Sequence, residues 1–310
     1  MSLGFASEMK SSHIITVDQF YSQAKKLRGY FETQFAHPKE TSSQRFVWDY
    51  WHVPDQYTLM RTPAYHYFPQ KAYMDFHRSL VLWGRRTLGC WDISPPWLSY
   101  YINGCKQDLH SDVPHGPWAY VYSLTPWKGR KFSGGETLIL KPEVLSYWRN
   151  FASTEHRELS SFVDRIPALM NRLVVFDPRY PHGVTRVEGT QDPMEARLVI
   201  HGWFMEPKTY IEGPLKSASR KTEKILNQAF DQIQELLAVE RQLQGTVSIQ
   251  VMVGTTGKVK TIRYGTNTLL DLETGTAPSA LNRRLLKIYR DLEFPVAKAN
   301  TLMTVPLIFQ

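Results

Sequence analysis

Apolar residues recur at Phe20, Ala24, Leu27 and Phe31, and this spacing of three to four predicts an amphipathic helix over 17–35. Residues 46–69 are rich in aromatics and broken by prolines, which predicts an irregular or partly extended stretch, and 70–88 reads as a second helix. Helices of this kind commonly cover one face of a sheet. From Leu98 the pattern changes. LSYYING, WAYVYSLT, ETLILKP, RLVVFDP and ARLVIHGWF are short runs rich in β-branched and aromatic residues. Asn103-Gly104, Pro126, Gly134-Gly135, Asp177-Pro178 and Gly189 separate them. Short strands punctuated in this way predict a β-sandwich or barrel. Residues 143–172 read as a longer, partly helical insertion between two of the strands.

Helical spacing returns over 213–245. Ile225, Leu226, Ala229, Phe230, Ile233, Leu236, Leu237 and Leu243 fall on one face, after Gly213-Pro214 and before Gly245. Beyond it TVSIQVMV, a turn through Gly254 and Gly257, and KVKTIRYG predict a β-hairpin. A helix over 280–292 and a strand over 302–309 complete a small α/β unit. The chain therefore reads as α+β in three parts: a β-rich domain with N-terminal helices over 1–210, a linking amphipathic helix over 211–245, and a small α/β domain over 246–310. No internal repeat or low-complexity tract is evident.

Composition narrows this picture. Apolar residues make up 42% and charged residues 21% of 310, enough for a globular fold with a sizeable core. No stretch of about 18 residues is free of charge, so no membrane span is expected. The first twenty residues hold no clear signal-peptide core, which points to the cytoplasm. Cys90 and Cys105 are the only cysteines, too few for a disulfide framework, and are expected to be reduced and structural. The net charge of +8 would suit an acidic partner, but Lys and Arg are scattered and no nucleic-acid module is recognisable. No nucleic-acid partner is therefore expected. A basic pocket for a dicarboxylate would need only one or two of these cations.

Four residues carry the candidate chemistry. His110 and Asp112 form a His-x-Asp pair that a regular strand would project to one face, and His182 follows the apolar run RLVVFDP. Two imidazoles and one carboxylate can hold Fe(II) and leave adjacent coordination positions open for substrate and O₂. The third ligand, His182, must come from another strand and meet the pair across the barrel. Arg197 opens the run RLVIHGWF and could bind a carboxylate.

The sequence resembles a known family at these residues. LSYYINGCKQDLHSD, FSGGETLIL, RLVVFDPRYPHGVTRV and ARLVIHGWF look like the Fe(II)/2-oxoglutarate dioxygenases of the prolyl-4-hydroxylase type. That family's pattern is His-x-Asp, Ser-Gly-Gly before a strand, a Phe six residues before the second His, and a Trp six residues after the Arg. Phe176 with His182, and Arg197 with Trp203, stand at those offsets. The resemblance covers about residues 98–206. It implies a double-stranded β-helix, or jelly-roll, core. It also implies Fe(II) on His110, Asp112 and His182, and 2-oxoglutarate on Arg197 through a bidentate pair with its far carboxylate. Tyr100, and with less support Tyr122, would face the cosubstrate or else pack in the core. The implied reaction consumes O₂ and 2-oxoglutarate, releases succinate and CO₂, and hydroxylates an unactivated C–H bond of a small molecule or an amino-acid or peptide side chain. Asp112 stands where related halogenases have a small residue, which favours hydroxylation over halogenation; desaturation and cyclisation stay open.

The chain departs from the pattern in the stretch EGTQDPME, which lengthens the spacing from His182 to Arg197 and makes Arg186 a rival cation. Trp203 favours Arg197. His201, on the same expected strand face, could touch substrate or simply hydrogen-bond in the core. Trp118, Trp127, Arg130, Arg179 and Tyr180 flank the motifs and could line the entrance. Residues 246–310 resemble the C-terminal domain of TonB-type proteins and imply an interaction module, for a protein partner or a second copy of the chain, or else a structural appendage. Two further readings compete with the oxygenase: a non-catalytic metal-binding sensor or adaptor acting through that module, and a cupin-like enzyme without 2-oxoglutarate.

Overall fold

The computed structural model describes residues 13–36, 47–149, 152, 154, 157–237 and 242–309. The chain divides into two compact units, one built on Ile14–Val81 and Ile93–Met205, the other on Leu82–Asp92 and the described residues from Glu206 onward. The elements up to the second helix run β1 (Ile14–Val17), α1 (Ala24–Phe35), β2 (Asp49–Val53), β3 (Tyr57–Pro63) and the single turn α2 (Ala64–Tyr67). Next come α3 (Gln70–Thr87), β4 (Cys90–Ile93), β5 (Trp97–Tyr101), β6 (Lys106–His110), β7 (Trp118–Ser123) and β8 (Thr137–Leu140). After them follow α4 (Glu143–Arg149), β9 (Val163–Ile166), β10 (Arg172–Phe176), β11 (His182–Val184) and β12 (Arg197–Pro207).

The first unit is built on an antiparallel sheet in the order β1-β10-β7-β12-β5-β3-β6-β11-β8-β9, with β2 beside β3. β12 and β8 are far apart in this order. Even so, Arg197 at the start of β12 donates to the Gly135 carbonyl (2.8 Å) and to Thr137 Oγ1 of β8 (3.2 Å). The sheet must curl to bring them together, as a jelly-roll core does. One face looks inward. Leu59, Tyr101, Phe132, Val184, Val187 and Val199 pack there in one apolar cluster. The other face meets helices. α1 buries Ala24, Leu27 and Phe31, three to four residues apart, and Phe31 lies edge-on to Tyr100 at 6.2 Å. Phe76 of α3 packs on Tyr122 at 4.8 Å. Truncating a fully buried Phe such as these costs about 3–5 kcal/mol, because the cavity adds to the lost transfer energy.

The stretch expected to be irregular or partly extended holds a regular hairpin. β2 and β3 pair from Asp49↔Arg61 to Val53↔Tyr57. Pro54 lies in the turn rather than in a strand, and Asp55 takes the left-handed conformation the turn needs (φ 58°). Its aromatics hide the alternation that marks a strand. The insertion after β8 also contributes a strand, since β9 pairs with β8. Residues 150, 151, 153, 155 and 156 of it lie outside the described residues.

In the second unit β13 (Tyr210–Glu212), β17 (Thr301–Phe309), β14 (Leu243–Val253) and β15 (Val259–Asn267) form a sheet in that order, with β16 (Leu270–Asp271) against β14. α5 (Ser219–Leu237) packs Leu226, Ala229 and Ile233, and α6 (Ser279–Arg290) packs Leu281, Leu285 and Tyr289, into one core with the sheet. Two residues given to the helical face behave otherwise. Phe230 is 47% exposed, and Leu243 opens β14. Gly245 is a strand residue with φ 148°, placed where an added Cβ would lie 2.5 Å from the Leu269 Cα. It is a close approach of β14 to the link at Thr268 and Leu269, not a helix stop. Residues 238–241, also read as helix, lie outside the described residues. No described helix is long and apolar enough to cross a membrane.

Candidate metal centre

β6 ends at His110 and β11 begins at His182, and the two residues are register partners on adjacent strands. Their rings stand 4.5 Å apart. The histidines therefore meet side by side rather than across the barrel. Asp112 does not continue the strand. A short 3₁₀ turn, Val113–His115, follows it, and Asp112 takes φ −115°, ψ 38° at the head of that turn. Its N–H donates to the Pro178 carbonyl at 3.1 Å. This turn, rather than strand alternation, swings the carboxylate between the imidazoles, 3.4 Å from His182 Nε2 and 3.9 Å from His110 Nε2. One ligand atom from each of the three lies within 4.8 Å of the others.

The second nitrogen of each ring fixes what the first can do. His110 Nδ1 lies 2.8 Å from the Asp108 carbonyl and His182 Nδ1 lies 3.0 Å from the Tyr180 carbonyl. A carbonyl only accepts, so each Nδ1 carries the proton and each Nε2 presents its lone pair to the shared centre. Burial raises the Asp112 carboxyl, but its neighbours His182, His110 and His115 outweigh it and hold the group below its usual range. It is a carboxylate at neutral pH.

The turn from Asp177 to Pro181 serves both ligands. Its Pro178 carbonyl holds Asp112 and its Tyr180 carbonyl holds His182. Asp177 is buried and takes Arg179 Nε at 2.8 Å and Nη2 at 2.5 Å, a forked pair that fixes the turn. Phe176, one residue before, packs its ring 4.7 Å from that of His182.

A cavity of about 710 Å³ opens over the triad. Arg197 reaches into it although it is only 1% exposed. Its Nε and Nη2 are tied to Gly135 and Thr137, its guanidinium stacks on Tyr101 at 4.5 Å, and its Nη1 is buried with no partner. A buried donor left over in this way could take an anion. Glycine makes the arrangement possible. Gly134 has φ 72°, and a Cβ there would lie 1.8 Å from the Arg186 carbonyl; Gly135 has φ 80°, with Arg197 Cδ 3.2 Å from where a Cβ would be.

No protein-family model matches this chain, and no curated protein matches it. Among solved structures it is similar to a prolyl hydroxylase of Trichoplax adhaerens in complex with a peptide fragment of the oxygen degradation domain of hypoxia inducible factor. The identity is 14% over 62% of this chain and 83% of that one, with a TM-score of 0.44. It is similar to a prolyl-4-hydroxylase of Pseudomonas putida at 15% identity over 62% and 92%, TM-score 0.43. HygX of Streptomyces hygroscopicus, with nickel and 2-oxoglutarate bound, gives 11% identity over 62% and 82%, TM-score 0.39.

The remaining expected residues fall in different places. Tyr100 and Tyr122 are on the outer face: Tyr100 packs on Trp48 at 4.7 Å, and Tyr122 hydrogen-bonds Asn171 at 2.9 Å beside Phe76. Alternation along the strands puts their neighbours Tyr101 and Val121 on the cavity side. Arg186 does not line the cavity; its side chain is 60% exposed, beside Glu188. His201 does line it, with Nε2 2.8 Å from Ser99 Oγ. Burial, then the charges of Arg197 and Arg61, pushes its pKa down to about 3, so it stays neutral. None of the expected rim residues lines the cavity: Trp118 is fully buried, Trp127 stacks under Arg130, and Arg179 is taken by Asp177. Sequence reading missed Thr137, Tyr101 and the group Trp51, Arg61 and Trp97. The Arg61 side of the cavity comes from a hairpin in the stretch read as irregular or partly extended, where no strand register was assigned to place it.

Proposed function

We propose that the protein is an Fe(II)- and 2-oxoglutarate-dependent oxygenase that hydroxylates a C–H bond of a small molecule or an amino-acid or peptide side chain. The observation that carries this is the joint presence, in one cavity, of a three-ligand cluster and a buried arginine with a spare donor. The donor set fits Fe(II). Two neutral imidazoles with committed Nδ1 protons and one carboxylate suit a divalent ion, and three ligands leave positions open. Fe(II) with bound 2-oxoglutarate supplies the oxidising power: O₂ is consumed, one oxygen enters the C–H bond, the other enters succinate, and CO₂ leaves.

This chain's residues do the rest. His110, Asp112 and His182 would hold the metal, and the turn from Asp177 to Pro181 keeps two of them in place. Arg197 would bind the cosubstrate's far carboxylate with Nη1, while Gly135, Thr137 and Tyr101 fix its plane. Phe176, Val184 and Val199 give the cavity apolar walls that exclude water.

An anaerobic titration with Fe(II) and 2-oxoglutarate, watched for the weak visible charge-transfer band, tests this. The band is expected in the wild type, absent in His110→Ala and weakened in Arg197→Ala. Bound iron with no band would sink the cosubstrate assignment and leave a metal-binding protein of the sensor or cupin-like kind.

A further inference from the structure

Arg61 is a second cation in the same cavity, and the chemistry above does not use it. It stands on β3, and the residues two places to either side are paired with tryptophans: Leu59 with Trp51 on β2, Pro63 with Trp97 on β5. The guanidinium carbon lies 3.0 Å from the centroid of the Trp51 ring and 3.9 Å from that of Trp97. Both indoles also line the cavity. A guanidinium clamped in this way has its faces covered, so it can recognise a partner only along its edge.

That edge is not satisfied. Among the described residues Arg61 makes no side-chain hydrogen bond or ion pair, and its Nε is buried without a partner. Asp49, its register partner on β2, is exposed and forms no ion pair with it. A structural arginine that only stacked would direct its head to water. Asp49 acts on it only at a distance, so among the described residues no carboxylate is paired with its edge. Ser99, its register partner on β5, is hydrogen-bonded to neutral His201. Two other buried donors of the cavity, Tyr120 Oη and Trp203 Nε1, also lack partners.

We propose that Arg61, clamped between Trp51 and Trp97, anchors a carboxylate of the molecule that is oxidised, so that the substrate is a carboxylic acid. This rests on the oxygenase reading of the cavity and adds the substrate class to it. A carboxylate presents two oxygens in one plane and pairs edge to edge with a guanidinium whose faces are covered. Leu59, Val121 and Val199 of the same cavity supply apolar surface for the carbon skeleton.

The test uses full-length protein saturated anaerobically with Fe(II) and 2-oxoglutarate, so that Arg197 is already occupied. Benzoate, its neutral isostere benzamide, and inorganic phosphate are then titrated in by calorimetry. Benzoate is expected to bind at least about tenfold more tightly than benzamide or phosphate, the difference of one charge-assisted fork. Arg61→Gln should bring benzoate and benzamide to parity, and Arg61→Lys should fall between. The charge-transfer band is recorded on every sample and reports folding and the Arg197 site separately. Equal binding of benzoate and benzamide by wild type, no binding of either, unchanged benzoate affinity in Arg61→Gln, or a preference for phosphate overturns the proposal. Absence of the band in wild type overturns the oxygenase reading instead.

Discussion

Arg197 shows how much of this site depends on single side chains. Its Nε and Nη2 are committed to Gly135 and Thr137, which aims Nη1 at the cavity. Lysine would keep the charge and lose the fork. Arg197→Lys is therefore expected to weaken 2-oxoglutarate roughly 10–100-fold, read from the midpoint of the charge-transfer titration. Gly134 is the backbone counterpart. Its φ of 72° and the 1.8 Å approach to the Arg186 carbonyl leave no room for a methyl group. Gly134→Ala should cost at least about 1–3 kcal/mol, lower the melting temperature by several degrees, and weaken 2-oxoglutarate because Gly135 shifts with it. An unchanged melting temperature would show that the loop adapts.

At the scale of elements, the turn between β10 and β11 holds two of the three candidate ligands, Asp112 and His182. Asp177→Asn keeps its shape and removes the charge that pins Arg179. Metal affinity, measured by competition with a chelator, is expected to fall roughly tenfold or more, since groups behind metal ligands commonly matter on that scale. In the second unit, Arg86 donates from Nε (2.7 Å) and Nη2 (2.6 Å) to Glu212 of β13. Those bonds hold the Glu212 carboxyl below its ordinary value. A depressed folded-state pKa stabilises the fold above the unfolded value, about 4.3, and that contribution is lost as pH falls through the folded one. Both side chains are largely exposed, so the size is only about 0.2–1 kcal/mol. Wild type should melt slightly above Glu212→Gln at pH 7, and the gap should shrink as pH falls below the unfolded value and through the folded one.

For the whole molecule, ligand binding and stability are linked. A ligand that binds only the folded chain at a hundred times its Kd adds about 2.7 kcal/mol. Anaerobic Fe(II) with 2-oxoglutarate should therefore raise the melting temperature of wild type but not of His110→Ala, and a chelator should reverse the rise. A rise of equal size in His110→Ala would place the binding elsewhere. The curl of the sheet is what makes such a site possible, because Arg197 of β12 and Thr137 of β8 belong to distant strands in the pairing order.

Short-range pattern carried a good deal of this in the sequence. Helical spacing marks α1 and α3, apolar runs mark the strands from Leu98 onward, and the offsets among His110, Asp112, His182 and Arg197 single out the residues the cavity brings together. Such features are local, or depend on residue types that are scarce and chemically specific. Other features needed the folded chain. Whether Tyr100 or Tyr101 faces the cavity turns on which side of the strand is inside, and a one-residue shift exchanges them. Asp112 reaches the imidazoles through a turn rather than by strand alternation. The β2–β3 hairpin, hidden by its aromatics and prolines, brings Arg61 to the cavity between two indoles. Each of these depends on contacts between segments far apart in sequence, and only tertiary packing decides them.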